Sequence, residues 1–400
     1  MKNRGFTIVE LLVVIVVIGI LAAITIISYT GISKKAEISS LQSDLTNGSK
    51  KLKMYQVEYG SFPQDMTSTD GNVTYCPTGT NPDPKYCIKP SSNTTFEYSN
   101  LGNTTSPQGF GLMATKNSTS YIISGNSTPA VISATPNLSC PTGFIPVPGS
   151  ITYGQADFCV MKYEAKDAGG NVPVSQAAGT PWASVSQTNA ARYSQNVVGC
   201  TGCHLITESE WLTIAQNILK VTSNWRDNFV GTSVSSTNYI YSGHNDNAPA
   251  NALAADSNDT NGYYGETNTG GNQRRTLTLS NGEVIWDLAG NVREWTSGNS
   301  NSGFPGVTSG GFTFREWTSV TNPGTLTPNV FPSITGISNA STWTSTNGIG
   351  QILSSSNYVG PIGFIRGGNW AEDNWTGVLY MFLGWNSSSA EYDIGFRVSR

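Results

Sequence analysis

The sequence predicts an α+β chain in three parts: one long N-terminal helix, a small antiparallel sheet, and a larger, irregular, loop-rich α+β region. Three observations predict it. An apolar run over 6–27 passes without a break into an amphipathic stripe that ends at Tyr59. Short strand-like runs separated by turn clusters follow. Beyond Leu138 one strong helix signal stands among long Gly/Asn-rich loops that hold many of the ten Trp. The expected boundaries are 1–5, a leader; 6–60, the helix; 61–137, the small sheet and a linker; and 138–400, the larger domain. At roughly 150 residues per domain, 400 residues suit two or three.

Composition narrows the class. Charged residues make up 12% of the chain, Lys+Arg 22 against Asp+Glu 26, for a net charge of −4, about half the usual charged share. A nucleic-acid binder needs a basic face, and a pI near 5.3 argues against one. The mean hydropathy of −0.21 excludes a polytopic membrane protein, while 38% hydrophobic residues are too many for a disordered chain. Six Cys in a charge-poor, Asn/Thr-rich chain read as disulfides from an oxidising compartment. Two His leave little material for His-rich metal catalysis.

The helix begins after a short basic start, Met1 to Gly5. The run FTIVELLVVIVVIGILAAITII, 6–27, is apolar except for Thr7, Glu10 and Thr25. At 1.5 Å per residue it spans a ~30 Å hydrocarbon layer. Lys2 and Arg4 keep its start cytoplasmic. A secretory signal peptide has a shorter apolar core with its cleavage site after it; here the Gly precedes the run, so cleavage after Gly5 leaves the anchor in place. Glu10 is the informative residue, because a carboxylate in an apolar helix costs several kcal/mol, about 3 or more, unless something pairs with it. After a cut at Gly5, the new amino group of Phe6 lies about one helical turn from Glu10.

The stretch Gly5-Phe6-Thr7-Ile8-Val9-Glu10-Leu11-Leu12 resembles the class III signal of type IV prepilins and pseudopilins. The resemblance implies a prepilin peptidase cutting after Gly5, N-methylation of Phe6 and Glu10 as the assembly carboxylate. It also implies helices bundled at a filament centre, with Gly19 where such helices often melt. Farther along, Ile38, Leu41, Leu45, Leu52, Tyr55 and Tyr59 recur at helical spacing, with Gly48 at the gap. Gly60 and Pro63 stop the helix, which gives a rod of about 80 Å.

Strands are expected at Thr95–Tyr98, Gly109–Thr115 and Ser120–Ile123. Cys76 and Cys87 close a Pro-rich loop as a disulfide. Asn93, Asn103, Asn117 and Asn126 begin Asn-x-Ser/Thr triplets, a weak signal in so Asn-rich a chain. The string SGNSTPAVISATPN, 124–137, reads as a linker.

In the larger domain, Cys140 and Cys159 bracket a strand-turn-strand stretch, and Thr207-Glu208-Ser209-Glu210 is a capping box. The helix it starts carries Trp211, Ile214, Ala215, Ile218 and Leu219 on one face. The most chemical stretch is Asp287 to Trp295. Asp287 and Glu294 are hard oxygen donors around a Gly-Asn turn, which suits Ca²⁺; equally, both acids could cap turns or pair with Arg293 or Arg366. His204 to Trp211, Asp287 to Trp295, Arg366 to Trp370 and Gly395 to Val398, in that order, resemble the formylglycine-generating-enzyme (sulfatase-modifying factor) domain, a C-type-lectin-like fold. The resemblance covers about 260 residues. It implies a Ca²⁺ site from the Asp287 side chain, the Gly290 and Val292 carbonyls and the Glu294 carboxylate, with the loop 251–266, holding Asp256 and Asp259, as a candidate second site. It does not extend to catalysis. Oxidases of that family bind copper through two Cys after the Arg-Gly-Gly motif, and here no Cys follows Cys203; the related iron enzymes need a His cluster. A non-enzymatic scaffold is expected.

Cys200-Thr201-Gly202-Cys203-His204 matches the c-type haem string, but in one copy and without an evident second ligand; a short disulfide between Cys200 and Cys203 is the simpler reading. REWTS occurs at 293–297 and 315–319, a local echo. Together the resemblances imply a filament subunit that displays a lectin-like domain for adhesion. The alternatives are a minor pseudopilin of a type II secretion-like system and a haem-bearing electron-transfer pilin. The implied partners are related pilin subunits, the prepilin peptidase, an inner-membrane assembly platform and a glycan or other surface ligand, with no nucleic acid. The implied location is a single inner-membrane pass before assembly and an extracellular filament after it.

Overall fold

A computed structural model describes residues 8–68, 71, 74–101, 107–125, 127–232, 234–259, 273–300, 311–320, 343–354 and 361–400. The architecture is the α+β mix expected: one long helix, several small sheets and many loops. Helix α1 runs Ile8–Tyr59, 52 residues. Its amino-terminal half exposes apolar side chains on every side, Ile8, Leu11, Leu12, Ile15 and Ile18 among them. Its second half buries one stripe: Leu41, Leu45, Leu52 and Tyr55 lie under a sheet and join Phe96, Phe110 and Leu112 in one core. Gly48 lets the two surfaces meet, since a Cβ there would come within 2.7 Å of the Leu112 side chain. The helix ends at Gly60, whose φ of 76° is the left-handed conformation that favours glycine.

That sheet has four antiparallel strands, Thr94–Leu101, Gly109–Lys116, Thr119–Ser124 and Ala130–Val131, where three were expected. The fourth comes from the segment read as a linker: Val131 and Ala130 pair with Tyr121 and Ile122. A Gly/Ser/Thr/Pro-rich composition hid a β-branched pair, Val131-Ile132, long enough to complete a sheet edge. The hairpin of Asp65–Ser68 and Tyr75–Thr78 sits beside it, stapled by the Cys76–Cys87 disulfide.

Residues beyond 138 build two larger sheets and, among the described residues, two two-stranded ribbons around two short helices. A four-stranded sheet runs in the order His204–Leu205, Val398–Ser399, Phe158–Met161, Phe144–Val147. A six-stranded mixed sheet runs Thr313–Arg315, Ile352–Ser354, Gly377–Phe382, Ile362–Gly367, Arg293–Ser300, Ile394–Phe396. Helix α2, Gln187–Tyr193, and helix α3, Glu208–Leu219, pack on them. Helix α3 starts at the expected capping box, with Thr207 and Glu210 bonding each other's backbone N–H. Trp211, Ile214, Ala215, Ile218 and Leu219 are all buried. Cys140–Cys159 and Cys200–Cys203 are disulfides.

The two parts of the head are stitched together. The Asp157 N–H donates to the Val131 carbonyl at 3.0 Å, and Asp157 Oδ1 accepts from the Ser133 and Gly149 N–H groups at 3.0 and 2.8 Å. Gly111 makes room for the approach, as a Cβ there would come within 2.7 Å of the Ile151 carbonyl oxygen.

Candidate functional site

Gly5 and Phe6 lie outside the described residues, as do Asn103, Asn126 and the 260–266 part of the candidate second calcium loop. Glu10 occupies the first turn of α1 and is exposed among exposed aliphatic side chains. An acid in that turn is favoured by the helix dipole. The helix is long and apolar enough to cross a membrane by length and composition.

The second candidate, the Asp287 to Trp295 stretch, folds as a tight loop feeding a central strand. Asp287, Gly290 and Asn291 all have positive φ. The loop carries Asn291 inward, where its Nδ2 donates to Glu164 Oε2 at 2.6 Å and its Oδ1 accepts from the Leu253 N–H at 2.8 Å. The expected calcium ligands do not make a cation cage. Both Asp287 oxygens take bonds from Arg275, Nε and Nη2, at 2.7 Å each. Both Glu294 oxygens take bonds from Arg397, at 3.1 and 2.7 Å. Each carboxylate is closed by a bidentate guanidinium, the strongest neutralising geometry a side chain offers. Among the described residues no group of three or more His, Cys, Asp or Glu is disposed to hold a metal. With both carboxylates committed to arginine, Asp287 and Glu294 do not fit Ca²⁺ in this arrangement.

The suggested arginines also go elsewhere. Arg366 pairs with Glu208 at 2.5 Å. Arg293 pairs with Glu372 at 2.5 Å and with Asp393. The four motifs thus meet as a lattice of ion pairs: Glu208 with Arg366, Glu294 with Arg397, and Asp287 with Arg275. Arg397 also donates to the Met161 and Trp286 carbonyls, at 2.9 Å each, so all three of its nitrogens are engaged. Burial pushes the Glu294 carboxyl above the ordinary carboxylate range, with the Arg397 guanidinium opposing. Arg275 was absent from the sequence reading. A neighbouring pair of arginines, Arg274-Arg275, in an otherwise charge-poor chain is the signal that could have found it.

His204 sits on a two-residue strand, with Nε2 3.1 Å from Glu210 and 3.1 Å from Ser399 Oγ. Ser399 Oγ itself donates to Glu210 at 2.7 Å. Serine and acid share one imidazole nitrogen while Nδ1 faces the Gly202 carbonyl at 2.9 Å, which is not the relay a hydroxyl nucleophile needs. The Glu210 carboxylate raises the His204 pKa to about 9. With both cysteines of the C-x-x-C-H string in a disulfide, no thiol is present there for haem attachment.

Comparison with known proteins places the similarity at the amino terminus. Residues 1–26 match the family model described as the prokaryotic N-terminal methylation motif. The type II secretion system core protein G of Pectobacterium carotovorum subsp. carotovorum is 32% identical over 73 residues, 18% of this chain and 47% of that protein. The type IV wide pilus major component of Thermus thermophilus is 34% identical over 84 residues, 19% of this chain and 64% of that protein. The type IV major pilin protein of Neisseria gonorrhoeae is 36% identical over 67 residues, 16% and 40% respectively. The match spans about half the length of such relatives. Two variants of the Major Tropism Determinant align over 84% of this chain, at 12% and 14% identity, covering 82% and 73% of those chains. Their TM-scores of 0.27 and 0.28 are too low to carry an argument. The amino-terminal region thus carries a prokaryotic N-terminal methylation motif, within a segment similar to pseudopilins and type IV pilins.

Proposed function

We propose that the chain is a structural subunit of a type IV pilus-like filament, cut after Gly5, methylated on Phe6 and displaying residues 138–400 as a lectin-like recognition domain. One observation carries the proposal: the matched motif over 1–26 runs directly into a helix whose first half exposes apolar side chains all round. In water such a surface is untenable, so it lies in a bilayer before assembly and against other subunits afterwards. Glu10 then meets the Phe6 amino group of a neighbouring subunit. The subunit works by assembly and surface binding, not by turnover. A pseudopilus is the second reading, favoured by the likeness to type II secretion core proteins.

Electron microscopy of sheared surface filaments, with mass spectrometry of the subunit's N-terminus, tests the proposal. The expected result is filaments containing this chain, beginning at a methylated Phe6. Glu10→Ala should lower filament yield at least tenfold while the membrane pool persists. Filaments that lack this chain, or that carry it with residues 1–5 attached, overturn the proposal.

A further inference from the structure

The C-terminal region carries a face where aromatic rings and a polar pocket meet. The short helical turn Asp373–Trp375 joins them. On one side of that turn Trp375 stacks on Phe314, with ring centroids 4.5 Å apart. Phe314 leans on Phe382 at 6.5 Å, and Phe382 in turn contacts Phe312 at 5.9 Å and stacks on Trp385 at 6.4 Å. Three rings of this row stay open to solvent: Phe312 at 53%, Trp375 at 43% and Trp385 at 37% exposure. Elsewhere in this region aromatic side chains such as Trp211, Trp225, Trp295 and Trp343 are buried completely or nearly so. A contiguous row of exposed rings on a folded surface marks a contact site.

On the other side of the turn lies a cavity of about 140 Å³, lined by Asp246, Asp373, Asn245, Asn374, Ser345 and Tyr239 among others. None of the described residues lining it is Lys, Arg or His. Its floor is held rigidly. Asn245 Nδ2 donates to the Asp373 carbonyl at 2.8 Å and to Thr376 Oγ1 at 2.9 Å, while the Asp373 N–H donates to the Asn245 carbonyl at 2.9 Å. This clamp keeps Asp373 at a φ of 45°, a conformation that costs energy outside glycine and persists where the surroundings impose it. The pocket and the ring row share a rim: Ser345 bonds Glu316, two residues from Phe314.

We propose that this face binds neutral carbohydrate, the sugar rings lying on Trp375 and its neighbours while hydroxyl groups reach Asp373 and Asn374. The chemistry of the lining selects the class. Carboxylates and amides without a cation accept and donate hydrogen bonds to hydroxyls, and they repel phosphate, sulfate and uronate groups. Aromatic faces take up the C–H side of a pyranose, which is apolar, while its rim of hydroxyls stays wet. The two demands, apolar face and polar edge, occur together on a sugar, and both are met around one turn of the chain. Recognition is direct, through side chains, with no metal between them. The inference names the ligand class of the domain that the proposed function displays, and rests on that reading for its biological setting.

The purified full-length chain in detergent micelles, mixed with insoluble cellulose, chitin and starch and with alginate beads, provides the test. Retention on at least one neutral polymer is expected, with none on alginate and no change on adding EDTA. Trp375→Ala should weaken retention at least tenfold and Asp373→Asn about threefold, with melting temperatures unchanged. Should Trp375→Ala lower the melting temperature, Trp385→Ala carries the same test on a neighbouring exposed ring. Absence of retention on all three neutral polymers, retention only on alginate, loss on chelation, or equal binding by both tryptophan variants overturns the proposal. Because the assay uses isolated protein, its failure leaves filament assembly untouched. A failed Glu10 experiment likewise leaves this one readable.

Discussion

Helix α1 and the C-terminal region handle carboxylates in opposite ways. Glu10 projects from a helix whose surroundings in the protomer are solvent and exposed aliphatic side chains. Glu294 is wholly buried, yet its partner Arg397 is supplied by the same chain and is equally buried. The first region carries its acid on an exposed apolar surface; the second seals its acids inside, each against an arginine of the same chain. Solvent-averse surface with an acid in it is a feature of something made to be joined. Buried acids with bidentate arginines belong to a fold whose charges are matched within one chain.

That contrast can be broken at several points. The largest effect should come from Glu294→Ala, which strands a buried guanidinium and should cost about 3–5 kcal/mol, read as a lowered denaturant midpoint of the C-terminal transition. If the midpoint is unchanged, the ion-pair lattice is not what holds the four motifs together. A smaller effect belongs to His204. Its pKa is raised above the ordinary 6.5, to about 9, by Glu210; stability from this pair is therefore complete below pH ~6.5 and lost as pH rises through about 9. Glu210 is lowered from its ordinary 4.5, so its share is lost at the acid end. The imidazole is 41% exposed, and after allowance for solvent screening the effect is about 1 kcal/mol. His204→Gln should flatten the alkaline limb of a stability-against-pH curve; an unaltered limb removes the pair from the balance. The smallest expected effect is none: EGTA should leave the melting temperature of the purified chain unchanged, because Asp287 and Glu294 already have their cations in Arg275 and Arg397. A downward shift on chelation would restore a calcium site.

Much of the amino-terminal half was legible in the sequence because its signals are local. Helical periodicity from Ile38 to Tyr59, the stop at Gly60 and the apolar run before them need no knowledge of distant residues. The capping box at Thr207 was legible for the same reason. The buried lattice was not. Arg397 reaches Glu294 across 103 positions and Arg366 reaches Glu208 across 158. Spacing along the chain says nothing about such pairs. Oxygen donors near a Gly-Asn turn suit a calcium ion and an arginine alike. Two guanidiniums from separate parts of the chain, Arg275 and Arg397, decided between them. The strand Ala130–Val131 was missed because two residues are too few to show alternation.

The pairing of that short strand has a mechanical meaning. In the proposed filament, a pull on residues 138–400 would pass to the helix through residues 124–157. Had this stretch been slack, residues 138–400 would swivel and the load would be absorbed by uncoiling of a loose tether. Instead Val131 is knitted to Tyr121 on one side and to the Asp157 backbone on the other. Traction therefore reaches the rod through hydrogen bonds that must all be strained together, which makes the junction a stiff coupling rather than a swivel.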